Sequence, residues 1–171
     1  MIVAFDVETN GLFGQPFAVG GVVLDERGDT FSIFRSRCPI VGNVDQWVGA
    51  NVIPKLEMHV SATSLSEMQD AFWEWWLEYR NDADGRIVVD VGYPVETGFL
   101  RACQEADPSR EWEGPYPLID LAGVLLASGI DPQIQRVQLM ERLDLQGRSF
   151  NQHNPVDDAM IAALAVWRLT P

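Results

Sequence analysis

Two short stretches at opposite ends of the chain carry the residues best suited to chemistry. Near the start, Ile2-Val3-Ala4-Phe5-Asp6-Val7-Glu8-Thr9 reads as an apolar strand that ends in two carboxylates. Side chains two apart in a strand project from the same face, so Asp6 and Glu8 point the same way. Two like charges in a low-dielectric interior repel, and ionising both is costly unless a cation lies between them. The run at residues 2–5 is apolar on both faces, as in a central strand, which argues against a solvent-facing edge pair. An oxygen-only pair at the end of such a strand suits a hard cation such as Mg²⁺ or Mn²⁺.

The second stretch is His153-Asn154-Pro155-Val156-Asp157-Asp158-Ala159. Pro155 belongs in the first turn of a helix, and the two aspartates that follow sit where the helix dipole favours negative charge. One of them needs no further reason to be there. Asp158, however, shares a helical face with Ile161, Ala162 and Ala165 and so leans toward the protein body. His153, one of two histidines in the chain, has an ordinary pKa in the range where general-base work is done. A third stretch, Val95-Glu96-Thr97-Gly98-Phe99-Leu100, places an acid at a helix start, with Phe99, Leu100 and Cys103 on the inward face. Alone, Glu96 reads as an acid complementing the helix dipole.

The elements that position these residues follow from periodicity and punctuation. Strands are predicted at residues 1–8, 18–24 and 30–36, the last two joined by the turn Asp25-Glu26-Arg27-Gly28. Residues 38–60, with Pro39, Gly42, Gly49 and Pro54, read as irregular. Ser64 and Glu67 have capping-box spacing and open a helix to about Arg80. On it Met68, Phe72, Trp75, Trp76 and Tyr79 form a core-facing stripe. Strand four is expected at 86–92, a helix at 95–106, a short strand at 117–120, and helices at 121–127, 135–144 and 156–169. A three-strand meander followed by alternating helix and strand implies an α/β domain with a mixed sheet and helices on its faces.

Bulk properties narrow the function classes. A chain of 171 residues with 47% hydrophobic content is one globular domain of ordinary size. Its apolar runs are too short to span a bilayer, and the start lacks the basic region and cleavage site of a secretory leader. Two cysteines make no disulfide framework, so a reducing, cytoplasmic location is expected. Twelve basic residues against 25 acidic ones give a net charge of −13. That excludes grip on long nucleic acid through a broad basic surface, but not capture of a short strand end in a metal-lined pocket.

In order, the three stretches resemble the motifs of the DnaQ-like (DEDDh) family of 3′→5′ exonucleases. FDVETNGL is similar to the first motif and HNPVDDA to the third, H-x-A-x-x-D, with Pro155 in place of the usual alanine. VETGFL is similar to the second, D-x-x-F-L, with Glu96 where the family has aspartate; Asp90 and Asp120 are the other acids able to fill that place. The resemblance implies a ribonuclease H-like fold with a mixed central sheet of about five strands and helices on both faces. It implies one exonuclease domain over residues 1–171, with two divalent cations (Mg²⁺ or Mn²⁺) held by Asp6, Glu8, Glu96 and Asp158. His153 would be the general base, releasing nucleoside 5′-monophosphates. Thr9, Asn10, Gly11, Leu12 and Phe13 would contact the substrate, a DNA or RNA 3′ end that is single-stranded or short. Small members of the family are often dimers, so a homodimer is allowed. A nuclease-like module that binds nucleic acid or a partner protein without cleaving is the alternative. A third reading makes Trp73, Trp75 and Trp76 an assembly surface.

Overall fold

The computed structural model describes residues 1–145 and 150–170. Its sheet runs β3-β2-β1-β4-β5, from β1 (Ile2–Thr9), β2 (Pro16–Leu24), β3 (Thr30–Arg37), β4 (Ile87–Val89) and β5 (Leu118–Asp120). The meander β1-β2-β3 is antiparallel, whereas β4 and β5 join β1 in parallel. This is the mixed sheet that the strand and helix order implies. The carboxyl ends of β1 and β4 lie side by side, where open α/β sheets bind ligands.

Helices cover both faces. On one side lies α6 (Pro155–Leu169), buried along nearly its whole length against β1, β2 and β4. On the other lie α2 (Leu65–Tyr79) and α3 (Thr97–Ala106), where Phe5 meets Phe72 at 4.9 Å and Phe99 at 6.3 Å between ring centroids. The aromatic stripe of α2 is core: Met68, Phe72, Trp73, Trp75, Trp76 and Tyr79 are all buried, which leaves no tryptophan surface for assembly on this helix. Ser64 caps α2 by accepting the Glu67 N–H at 3.2 Å. The reciprocal arm differs from the capping-box pattern, because Glu67 reaches one residue further back, to the N–H and hydroxyl of Thr63.

Two neighbouring glycines set how closely these layers approach. Gly20 and Gly21 project to opposite faces of β2. A Cβ at Gly20 would lie 2.3 Å from the Val156 nitrogen, and one at Gly21 would lie 2.5 Å from the Trp75 ring. The first turn of α6 therefore rests directly on the β2 backbone.

Some boundaries differ from the sequence reading. Residues 38–60 are not wholly irregular: they contain α1 (Gln46–Asn51) and a 3₁₀ turn (Ile53–Lys55). Strand four is three residues long, because Asp90 and Val91 turn away from the sheet edge. The helix expected from 95 begins regularly at Thr97, after a turn at Gly92–Glu96 in which Tyr93 is extended. Helices α4 (Leu121–Ala127) and α5 (Arg136–Arg142) lie where expected, α5 ending slightly earlier. Among the described residues, no helix is long and apolar enough to cross a membrane.

Candidate active site

The strand pleat places Asp6 opposite Gly20, so both face α6. Because Gly20 lets the first turn of α6 sit against the sheet, Asp158 reaches the two strand acids. One carboxylate oxygen from each of Asp6, Glu8 and Asp158 lies within 4.8 Å of the others, an arrangement able to hold a metal ion. Glu96 lies close by but outside that trio. It is only 4% exposed, and its charge acts on both Asp6 and Glu8.

The loop before α6 is tightly ordered by its own side chains. Asn154 caps the helix by accepting the Val156 N–H at 3.2 Å. Asp157 accepts the Asn151 N–H at 2.9 Å and does not line the cleft, so it is the structural one of the aspartate pair. Asp158 Oδ2 accepts the His153 N–H at 2.8 Å. His153 takes a left-handed backbone conformation, with φ of 70°, which is uncommon for a residue with a side chain. That geometry brings its Nδ1 to 4.0 Å from Glu8 Oε1.

Burial first, and repulsion between like charges second, raises every acid in the cluster. Burial, followed by repulsion from Asp158 and Glu96, pushes Glu8 up to about 8, while Lys55 pulls the other way. Burial raises Glu96 to about 7 against the hydrogen bonds it accepts, and raises Asp158 to about 7 against the His153 N–H. Asp6, the innermost, is raised well above the ordinary range by burial and by Asp158, Glu96, Glu8 and Asp90. His153 moves down, through burial and the nearby Lys55 charge, which favours the neutral imidazole. A set of oxygen donors that resists ionising without a counter-charge fits hard divalent cations.

Asp6, Glu8 and Asp158 open into a cleft of about 360 Å³, also lined by Asp90, residues 132–136, Gln152 and His153, whereas Glu96 lies behind it and does not line it. Asp90 and Asp120 both have other partners. Asp90 is held by Arg136 through two hydrogen bonds, that from Nε being 2.9 Å. Asp120 caps α4 through the Ala122 N–H and accepts the Gly92 N–H, each at 2.8 Å. Of the three acids open to the second motif, Glu96 is the one engaged by neither an arginine nor a helix cap among the described residues.

The loop after Glu8 stands beside this cleft without lining it. Thr9 closes β1, Asn10 spends its side chain on the 43–45 loop, and Gly11 turns the chain with φ of 84°. Leu12 and Phe13 are exposed, at 61% and 79%. Sequence reasoning did not single out Arg136, Lys55 or Trp47. Each comes to the site through contacts far apart in the chain, and no local pattern marks them.

No family model and no curated protein matches this chain. Among solved structures it is similar to exonuclease X in complex with 5′-overhanging duplex DNA. The two share 15% sequence identity over 99% of this chain and 90% of that one, with a TM-score of 0.58. That likeness, with the β3-β2-β1-β4-β5 sheet and its two helical layers, shows the fold alone, which is ribonuclease H-like.

Proposed function

We propose that residues 1–171 form a metal-dependent 3′→5′ exonuclease acting on single-stranded or short nucleic acid. The observation that carries this reading is the meeting of Asp6, Glu8 and Asp158 within 4.8 Å, with Glu96 buried near enough to act on the charges of Asp6 and Glu8. The structural neighbour, exonuclease X, is an enzyme seen with DNA, which supports nucleic acid as the substrate class. The net charge of −13 favours a short strand end over long duplex.

Asp6, Glu8, Glu96 and Asp158 would hold two Mg²⁺ or Mn²⁺ ions, which when bound offset charge on the attacking and leaving oxygens of an in-line displacement. The chain's own residues do the rest. His153, kept neutral by burial and Lys55, accepts the proton of the attacking water. The water oxygen bonds to phosphorus, the bond from phosphorus to the 3′ oxygen breaks, and that oxygen takes up a proton as the shortened strand leaves. The product is a nucleoside 5′-monophosphate. Asp158 holds the His153 backbone, so one side chain both contributes a ligand oxygen and places the base. Leu12 and Phe13, exposed beside Glu8, offer apolar surface to a terminal base.

Incubating 5′-labelled DNA and RNA oligonucleotides with and without Mg²⁺ or Mn²⁺ tests the proposal. The expected result is a ladder that shortens from the 3′ end only when the cation is present, and that is lost in Asp6→Asn with the circular dichroism spectrum unchanged. Oligonucleotide binding without shortening in either cation would overturn it in favour of a non-cleaving module.

A further inference from the structure

We propose that Trp47 is the positioning residue for His153: α1 holds the indole against the imidazole and thereby selects the ring orientation from which His153 works. The inference rests on the nuclease reading above, in which His153 is the base.

The His153 backbone is fixed by its N–H bond to Asp158, but its ring is not held in that way. Among the described residues, no hydrogen bond reaches either imidazole nitrogen, and Glu8 Oε1 at 4.0 Å from Nδ1 lies beyond hydrogen-bond reach. The ring contact is with Trp47, whose indole meets the imidazole at 5.4 Å between centroids and 86° between planes. Edge-to-face geometry of this kind is favourable for aromatic pairs.

Trp47 is also an odd residue for its place. It is 56% exposed, whereas Val48 is the residue that α1 buries, so core packing gives no reason for an indole here. The helix that carries it is tied down at both ends of its segment. Asp45 caps α1 by accepting the Trp47 N–H at 2.9 Å and the Val48 N–H at 3.1 Å. The Asp45 N–H in turn donates to Asn10 Oδ1 at 2.7 Å, and Asn10 Nδ2 donates to the Asn43 carbonyl at 2.9 Å. At the far end, Asn151 Nδ2 donates to the Lys55 carbonyl at 2.9 Å. Residues 43–55 thus bridge the loop after Glu8 to the loop before His153, with the indole at the point of contact.

An aromatic pair shifts an equilibrium by about 2- to 10-fold, which sets the expected effect. Trp47→Ala lowers kcat by about 3- to 10-fold with KM within about twofold, and Trp47→Phe restores most of the loss. In a His153→Ala background, Trp47→Ala costs nothing further, because its effect passes through the ring that is gone. A readout independent of activity comes from the aromatic ¹H–¹³C spectrum, which is simple because His59 and His153 are the only histidines. The His153 ring signals move in Trp47→Ala, as the indole ring current is lost, while those of exposed His59 stay. A raised KM at unchanged kcat with unmoved His153 signals would overturn the inference and make Trp47 a substrate contact. A full additional loss in the His153→Ala background would also overturn it. If wild type cleaves nothing, the nuclease reading fails, and the His153 signals still decide whether the indole holds the ring.

Discussion

Gly20 lies directly opposite Asp6 in the β1–β2 ladder, and its missing side chain is what allows the first turn of α6 to reach the strand acids. A Cβ at this position would stand 2.3 Å from the Val156 nitrogen and 2.4 Å from the Pro155 carbonyl carbon, both backbone atoms that cannot swing aside. Gly20→Ala should therefore push α6 outward and separate Asp158 and His153 from Asp6 and Glu8. The expected cost is about 1–3 kcal/mol, as for overpacked cores, with a larger loss of Mn²⁺ affinity than the fall in Tm alone explains. Gly123→Ala in α4, where a Cβ meets nothing within 4 Å, is the matched control and should stabilise by about 0.5–1 kcal/mol. Calorimetric Mn²⁺ titration of the two variants, alongside thermal melts, checks both.

The raised carboxylates predict an unusual dependence of stability on pH. Glu8 titrates at about 8 and Glu96 and Asp158 at about 7 in the folded chain, against about 4 when unfolded. Between those limits the folded state binds more protons, so its stability falls as pH rises. In EDTA, Tm should be higher at pH 5.5 than at pH 8. Saturating Mn²⁺ should flatten that slope, and its binding at pH 7 should release protons. Asp6→Asn removes one of the crowded charges, so it should raise Tm at pH 8 in EDTA while abolishing Mn²⁺ binding. Melts across pH with and without Mn²⁺ read all of these, and a Tm that climbs from pH 5.5 to 8 in EDTA would count against the buried cluster.

Arg136 and Asp90 form the ion pair at the mouth of the cleft, each less than one-fifth exposed. Breaking it strands Asp90 among acids that already repel one another. Arg136→Ala should cost about 2–3 kcal/mol, somewhat below the range for a fully buried pair. The double variant Arg136→Ala with Asp90→Ala should recover part of that loss, because no uncompensated charge remains. Urea melts of the two single variants and the double form the cycle that measures it.

The parts of this site that were legible in the sequence are those whose cause is local. Alternation puts Asp6 and Glu8 on one strand face, and Asn154-Pro155 starts α6 with Asp158 turned inward, so four or five residues suffice for each. The mixed sheet with helices on its faces followed from strands and helices whose periodicity is strong, such as β2 and α6. What was hidden depends on partners distant in the chain. Helix α1 has six residues and no usable periodicity, and it stands because Asp45 caps it while Asn10, 35 residues earlier, holds Asp45. Arg136 is one of many arginines until the fold brings Asp90 to it across 46 residues. Gly20 and Gly21 fall inside the strand at 18–24 with nothing local to mark them, and their value appears only once a helix turn and an indole are packed on opposite sides.

Glu96 is the proposed ligand whose length departs from the motif it resembles. Its carboxyl sits 4% exposed near Asp6, at the end of the Gly92–Glu96 turn that precedes the regular helix. Aspartate at this position would withdraw the carboxyl by about 1.5 Å, one carbon–carbon bond. It would then stand further from Asp6 and from any ion held between them. Glu96→Asp should therefore lower kcat by about 100-fold, the usual penalty for misplacing a reacting group by an ångström. Glu96→Gln keeps the reach but loses the charge, so it should preserve Tm while weakening the binding of the second Mn²⁺. Single-turnover cleavage, Mn²⁺ titration and melts on the two variants separate length from charge. Full activity in Glu96→Asp would mean that the turn before α3 shortens the distance by itself.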